Sequence, residues 1–228
     1  MMFQGTVLFG GAFDPPHLGH VDCLKILYKA FPSVTAVVVP ASMPPNVEDS
    51  HSKVKSPKSS WRERYALCRL TFGNFFPANQ VLVSDIESKL PEPNFTINTI
   101  DYFLRSGLTD IALLLGWDQF SLFHKWHRVN DILKKANIIV INRDESLNAK
   151  DAMKSFESHV GVGYEWRVND QCAQLKTGTA IFFLNGKTSP ISSRVLREKM
   201  QLDMKDPEAV QYLESESYEY ISKHKLYG

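Results

Sequence analysis

The chain of 228 residues holds only three cysteines, and no apolar run in it approaches the length of a membrane span. Cys23, Cys68 and Cys172 are odd in number, far apart and without metal-ligand spacing. That pattern argues for thiols in a reducing compartment rather than a disulfide framework or a cysteine-based metal site. No basic segment followed by an apolar stretch opens the sequence, so a cytoplasmic location is expected and a membrane partner is not. Net charge is almost absent: 26 Lys and Arg stand against 25 Asp and Glu, leaving +1. A balanced chain has no global field for a polyanion, so nucleic acid is not an expected partner and any phosphate affinity must come from a local cluster. Neither standard phosphate motif is present: there is no G-x-x-x-x-G-K-[ST], and the first turn has no G-x-G-x-x-G. Internal repeats and low-complexity tracts are missing too.

What is present is ordinary for a globular protein, with 43% hydrophobic and 22% charged residues. The length suits one well-buried α/β domain over 1–228. Apolar runs at 6–9, 35–40, 81–85, 111–116, 137–143 and 180–185 predict buried strands. Amphipathic runs at 18–30, 60–72, 96–106, 118–135 (one or two pieces), 149–158, 192–201 and 207–223 predict helices. Residues 159–178 have mixed character and predict no element. Continuous apolar strands alternating with helices imply a doubly wound, mostly parallel α/β sheet, with a small helical C-terminal part over 185–228. Ligands should then collect at the carboxyl ends of the strands, near Gly10, Pro40, Asp85, Gly116, Arg143 and Asn185.

The most informative stretch is Gly10-Gly11-Ala12-Phe13-Asp14-Pro15-Pro16-His17-Leu18-Gly19-His20, between the first strand and the first helix. Unpaired N–H groups and the helix dipole make such a turn an anion site. Gly10 and Gly11 should let the backbone turn sharply and approach a ligand. Pro15 and Pro16 stiffen the loop. His17 and His20, three apart, should share one face of the first helical turn and donate to phosphate oxygens. A second anion site is expected at Ser189-Pro190-Ile191-Ser192-Ser193-Arg194-Val195-Leu196-Arg197, where serines open a helix and arginines occupy its first two turns. Gly116-Trp117-Asp118 ends a strand, and a carboxylate there can accept from ribose hydroxyls. Phe120 and Phe123 read as core; Trp126 offers a flat face for a heteroaromatic ring.

His17-Leu18-Gly19-His20 resembles the [HT]-x-G-H signature of the nucleotidyltransferase superfamily, and the longer form Gly10–His20 is most similar to the nicotinate (or nicotinamide) mononucleotide adenylyltransferases, bacterial type. The resemblance runs with gaps to Arg197. It implies a Rossmann-like nucleotidyltransferase fold and adenylyl transfer from ATP to nicotinate mononucleotide, with magnesium carried on ATP and no dedicated metal cage. It implies that Gly10, Gly11, Ala12, Phe13, His20, Arg143, Ile191, Ser192, Ser193 and Arg197 bind ATP. Gly116, Asp118 and Trp126 match the family's G-x-D…W pattern for the mononucleotide, with Thr96 and His127 near the carboxylate and Asp14 nearby. His20 would bind the α-phosphate, His17 would support it, and Arg197 would hold the leaving pyrophosphate. The chain departs from the pattern at Asn46, where a basic residue is common, and at Arg194, which replaces a threonine; Lys53, Lys55 or Lys58 could compensate for the first. Arg64 fits a family arginine, although an exposed charged face is the plainer reading of its helix. Other acceptors, nicotinamide mononucleotide or phosphopantetheine, stay open, as does a non-catalytic nucleotide-binding or chaperone-like module.

Overall fold

The structure is a computed structural model that describes residues 3–43, 57–142, 148–167 and 171–228. In chain order its elements are β1 (Thr6–Gly11), α1 (Leu18–Ala30), β2 (Thr35–Pro40), α2 (Trp61–Phe75), β3 (Val81–Val83), α3 (Thr96–Arg105), β4 (Ile111–Gly116), α4 (Trp117–Ser121), α5 (Val129–Lys135), β5 (Ala136–Asn142), α6 (Ala149–Val160), β6 (Tyr164–Arg167), β7 (Cys172–Leu175), β8 (Ala180–Asn185), α7 (Ser193–Leu202), α8 (Pro207–Val210) and α9 (Ser215–Lys223). The strand order is β3-β2-β1-β4-β5-β8-β7-β6. The pairs β1–β4, β4–β5 and β5–β8 are parallel, as the continuous apolar runs require, while β6–β7 and β7–β8 are antiparallel. The chain forms two compact units, each assembled from three separate segments.

The first unit comprises Met1–Gly10, Leu24–Ala36 and Thr96–Lys187. Its β4 is buried along its whole length. Gly116 lies opposite Ile141, and Asn142 opposite Asn185, so these residues share the carboxyl ends of three parallel strands. An aromatic cluster fills the space beside them: Phe123 stacks on Phe156 with ring centroids 5.8 Å apart, and Phe120 meets Phe183 edge-on at 5.5 Å. Core placement of Phe120 and Phe123 agrees with their spacing. The unassigned segment resolves into the end of α6 and a short hairpin. Gly161, in the left-handed region at φ 72°, ends α6. β6 then alternates half-buried Tyr164 and Trp166 with exposed Glu165 and Arg167. Charged residues on a short outer strand discourage further pairing, and four residues are too few for a clear period in the sequence.

The second unit comprises Gly11–Cys23, Val37–Phe95 and Thr188–Gly228. Its core joins Leu67 of α2 to Leu196 and Met200 of α7, Ala209 of α8, and Leu213, Ile221 and Leu226 around α9. Ser60 and Glu63 form a reciprocal capping box at the start of α2. The single helix expected over 207–223 is broken. Asp206 caps α8 with Pro207 at its first position, and the Glu214 carboxylate caps α9 by accepting from the Glu216 and Ser217 N–H groups. Two caps eight residues apart start two helices. The break also frees the Tyr212 carbonyl, which accepts from the Leu18 N–H at 2.9 Å. Cys23, Cys68 and Cys172 are all buried, and none is in a disulfide. No helix among the described residues is long and apolar enough to cross a membrane.

Leu67 is fully buried against three C-terminal helices. Truncation in Leu67→Ala should lower unfolding free energy by about 2–5 kcal/mol, read from the urea midpoint; an unchanged midpoint would remove it from the core.

Candidate active site

Within the second unit, the loop from Gly11 to His17 is held by donors aimed at its carbonyl groups. Arg64 Nη1 donates to the Ala12 carbonyl at 2.7 Å, Arg197 Nη1 donates to the Asp14 carbonyl, and Ser193 Oγ donates to the Pro15 carbonyl at 2.8 Å. The turn itself falls on Phe13, at φ 48°, and neither Gly10 nor Gly11 adopts a positive φ. The glycines therefore do not supply the turn. At Gly11 a Cβ would come within 3.0 Å of the Phe13 ring, whereas at Gly10 it would meet open space. Gly10 and Ala12 are exposed. Gly19 is small for a packing reason: a Cβ there would lie 3.0 Å from the His17 ring and 3.1 Å from the Ser189 carbonyl oxygen.

His17 is buried and His20 half-buried, with ring centroids 3.8 Å apart. His20 Nδ1 accepts from the His17 N–H at 3.2 Å. That bond leaves the neutral ring's proton on Nε2, where it can be donated. The opening amides of α1 serve the protein as well: Leu18 N–H reaches the Tyr212 carbonyl, and His20 N–H bonds back to the His17 carbonyl at 2.8 Å. Two of the amides that open α1 are thus already used within the protein.

The Asp14 carboxylate is buried at 2% exposure and surrounded by protein donors. Lys58 N–H donates to Oδ2 at 2.7 Å, Ser59 N–H to Oδ1 at 3.3 Å, and Tyr227 Oη to Oδ1 at 2.8 Å; Ser59 Oγ donates to Oδ1 too. Arg197 Nη1 lies 3.6 Å from Oδ2. Asp14, expected among the mononucleotide contacts, therefore has its acceptor positions occupied from within. Arg64 departs from the exposed face expected of its helix: it is 1% exposed. Burial pushes its pKa down, and the neighbouring Asp14 carboxylate pushes it back up.

Ser192 is the N-cap of α7 and accepts from the Val195 N–H at 3.3 Å. With Ser193 hydroxyl on Pro15, what this helix start can offer an anion is the backbone amides of its first turn and the remaining donors of Arg197, whose side chain is 22% exposed. Arg194 points outward, in a loose pair with Glu198 at 4.0 Å. Ile191 packs against the helical core. Asp22 of α1 accepts from Ser189 N–H at 2.8 Å and Ser189 Oγ at 2.7 Å, tying the approach to α7 onto α1.

The first unit carries the other predicted run. Gly116, not Asp118, is the N-cap of α4, and Gln119 Oε1 accepts from its N–H at 3.2 Å. Asp118 is exposed in the first turn. Trp126 is half-buried and stands edge-on to Phe123 at 5.0 Å, and His127 beside it is exposed. Thr96 is the first residue of α3. In the second unit, Asn94 is buried; its Oδ1 accepts from Met43 N–H at 2.7 Å and its Nδ2 donates to the Glu87 carbonyl at 3.0 Å. Arg143, Asn46, Lys53 and Lys55 lie outside the described residues. Lys58 contributes its N–H to Asp14, and no group of three or more metal-binding side chains occurs among the described residues.

The model of the cytidylyltransferase-like family matches residues 8–199. The chain belongs to that family. It is 36% identical to a protein of Thermosipho melanesiensis named "Probable nicotinate-nucleotide adenylyltransferase", over 61% of this chain and 65% of that one. Proteins of the same name from Aquifex aeolicus and Coxiella burnetii are 28% and 29% identical, over 82% and 99% of this chain and 98% and 99% of theirs. Among solved structures, the Plasmodium falciparum nicotinic acid mononucleotide adenylyltransferase complexed with NaAD superimposes with a TM-score of 0.72 at 15% identity, covering 98% of this chain and 97% of that one. At that identity the likeness establishes the fold, a mostly parallel Rossmann-like nucleotidyltransferase sheet. The family match spans both anion runs and the Gly116–Trp126 run.

Three residues of this family member were out of reach of sequence motifs: Asp22, Ser59 and Tyr227. Only Ser59 had a nearby signal, the Ser60-x-x-Glu63 box that fixes where α2 begins. Arg64→Met would keep the bulk but leave the Ala12 carbonyl without its donor. Unfolding free energy should fall by about 1–3 kcal/mol, measured by chemical denaturation; no loss would mean the contact contributes nothing.

Proposed function

We propose that this chain transfers the adenylyl group of ATP to nicotinate mononucleotide, giving deamido-NAD and pyrophosphate. The mononucleotide 5′-phosphate oxygen attacks the α-phosphorus in line. The bond from that phosphorus to the bridging oxygen breaks, and pyrophosphate leaves with the electron pair. Such a step needs aligned reactants and neutralised charge, and no covalent intermediate on the protein.

The observation that carries the reading is the oriented histidine pair. His20 accepts at Nδ1 from the His17 N–H, which leaves the neutral ring's proton on Nε2. In the same unit, Arg197 is anchored on the Asp14 carbonyl with further donors left for an anion. His20 would bind the α-phosphate as charge develops, His17 would keep its ring in place, and Arg197 with the first amides of α7 would receive pyrophosphate. Gly10 and Ala12, exposed beside Gly11, would border ATP. Magnesium would arrive on the ATP phosphates, held mainly by their oxygens and water. For the acceptor, Gly116 and Asp118 would meet the ribose and Trp126 would stack on the pyridine ring, with Thr96 and His127 near its carboxylate. The names of the relatives favour the acid over the amide.

The test is pyrophosphate release from ATP with nicotinate mononucleotide, nicotinamide mononucleotide and phosphopantetheine in turn. Release should be greatest with the acid, by more than about tenfold in kcat/KM, the factor that about 1.4 kcal/mol supplies. Preference for another acceptor would reassign the substrate, and no release with any would leave a binding module. His20→Ala should reduce kcat by about 10²–10³-fold with an unchanged circular-dichroism spectrum. Trp126→Ala should raise the KM for the mononucleotide by about tenfold, since base–aromatic stacking contributes about 1–3 kcal/mol; an unaltered KM would take it out of the pocket.

A further inference from the structure

The last turn of the chain does something that packing alone does not require. After α9, Lys225 and Tyr227 both take positive φ, 52° and 69°. For a bulky residue such as Tyr227 this is an uncommon and strained conformation. Strain of this kind persists only where surrounding contacts over-determine it. Here the contacts are specific. Leu226, between the two, is buried in the helical core. Tyr227 Oη donates to Asp14 Oδ1 at 2.8 Å and lies 3.0 Å from Ser59 Oγ. Burial, with the Asp14 carboxylate beside it, holds the Tyr227 phenol well above its ordinary pKa, so it keeps its proton and stays a donor.

Asp14 is also the residue whose main-chain carbonyl receives Arg197 Nη1, and whose carboxylate lies 3.6 Å from the same nitrogen. The phenol therefore acts on one end of Asp14 while the arginine rests on the other. A carboxylate that lost the phenol would have one donor fewer and would draw more strongly on its remaining cation. Arg197 would then turn its free donors inward, away from an anion.

We infer that Tyr227 is a positioning residue: through Asp14 it sets the direction of the Arg197 guanidinium, and so the grip on the pyrophosphate end of ATP. This rests on the adenylyl-transfer reading for its kinetic consequence but not for its binding one. Tyr227 touches no reacting atom in this scheme.

The experiment compares wild type, Tyr227→Phe, Ser59→Ala and a chain ending at Leu226. Three things are measured: thermal midpoint, calorimetric affinity for inorganic pyrophosphate, and steady-state kinetics with ATP and nicotinate mononucleotide. Tyr227→Phe keeps the ring and removes only the hydroxyl. It should weaken pyrophosphate binding and lower kcat, each by about tenfold, while the KM for nicotinate mononucleotide stays within about twofold. Ser59→Ala should follow the same pattern more weakly, because Tyr227 and the two amides still reach Asp14. The shortened chain should be at least as impaired as Tyr227→Phe in pyrophosphate binding. Unchanged pyrophosphate affinity in Tyr227→Phe would overturn the inference. So would a parallel fall of thermal midpoint and of affinity for both substrates, which marks a merely structural contact. If wild type binds pyrophosphate but turns over no acceptor, the adenylyl-transfer reading fails, and the pyrophosphate affinities of the variants still decide the role of Tyr227.

Discussion

The geometry of the first loop depends on one buried carboxylate. Asp14 sits among donors drawn from three distant stretches of chain: Lys58 and Ser59 before α2, Arg197 on α7, and Tyr227 beyond α9. A carboxylate removed from water must be satisfied by hydrogen bonds or neutralised. That requirement selects one arrangement of these stretches. The helical core around Leu67, Leu196 and Ile221 brings α2, α7 and α9 together without fixing their orientation closely, since hydrophobic contact has no direction. Asp14 supplies the direction.

A second constraint follows from the peptide group. Wherever an anion is to be bound, carbonyl oxygens must be turned away. The loop does this with three side chains, Arg64, Arg197 and Ser193, each holding one carbonyl. Pro15 and Pro16 bring no N–H of their own, so this half of the loop has no main-chain amide to offer an anion. The donor group of this set that still reaches solvent is the Arg197 guanidinium, on a side chain 22% exposed. His20 is oriented by His17, and Gly19 exists because the His17 ring and the Ser189 carbonyl lie where a Cβ would go. The [HT]-x-G-H pattern is thus a packing solution as much as a list of ligands.

Much of the architecture was legible in local pattern. Strands β2, β4 and β8 and helix α1 fall at the residues their apolar periods predict, because each is buried along one clear face or throughout. The misses have specific causes. One helix was expected where α8 and α9 stand, because Glu214 does not resemble a usual cap and the helical period survives the break. The β6–β7 hairpin was invisible because its strands have four residues each. Arg64 looked like a surface charge because its burial comes from a loop fifty positions away. Asp118 has a side chain common at helix caps, yet the backbone enters α4 two residues earlier, at Gly116.

Composition and pattern were therefore enough to determine a mostly parallel α/β sheet, and resemblance to a known family singled out the Gly10–His20, Ser189–Arg197 and Gly116–Trp126 runs, because each is a short contiguous segment whose chemistry is local. Tertiary structure alone decided which of those groups remain available to a ligand. Asp14, Ser193 and the first amide of α1 are polar and well placed by sequence, but partners more than forty residues away already occupy them. A donor or acceptor has limited capacity, and only the folded chain shows where that capacity has been used.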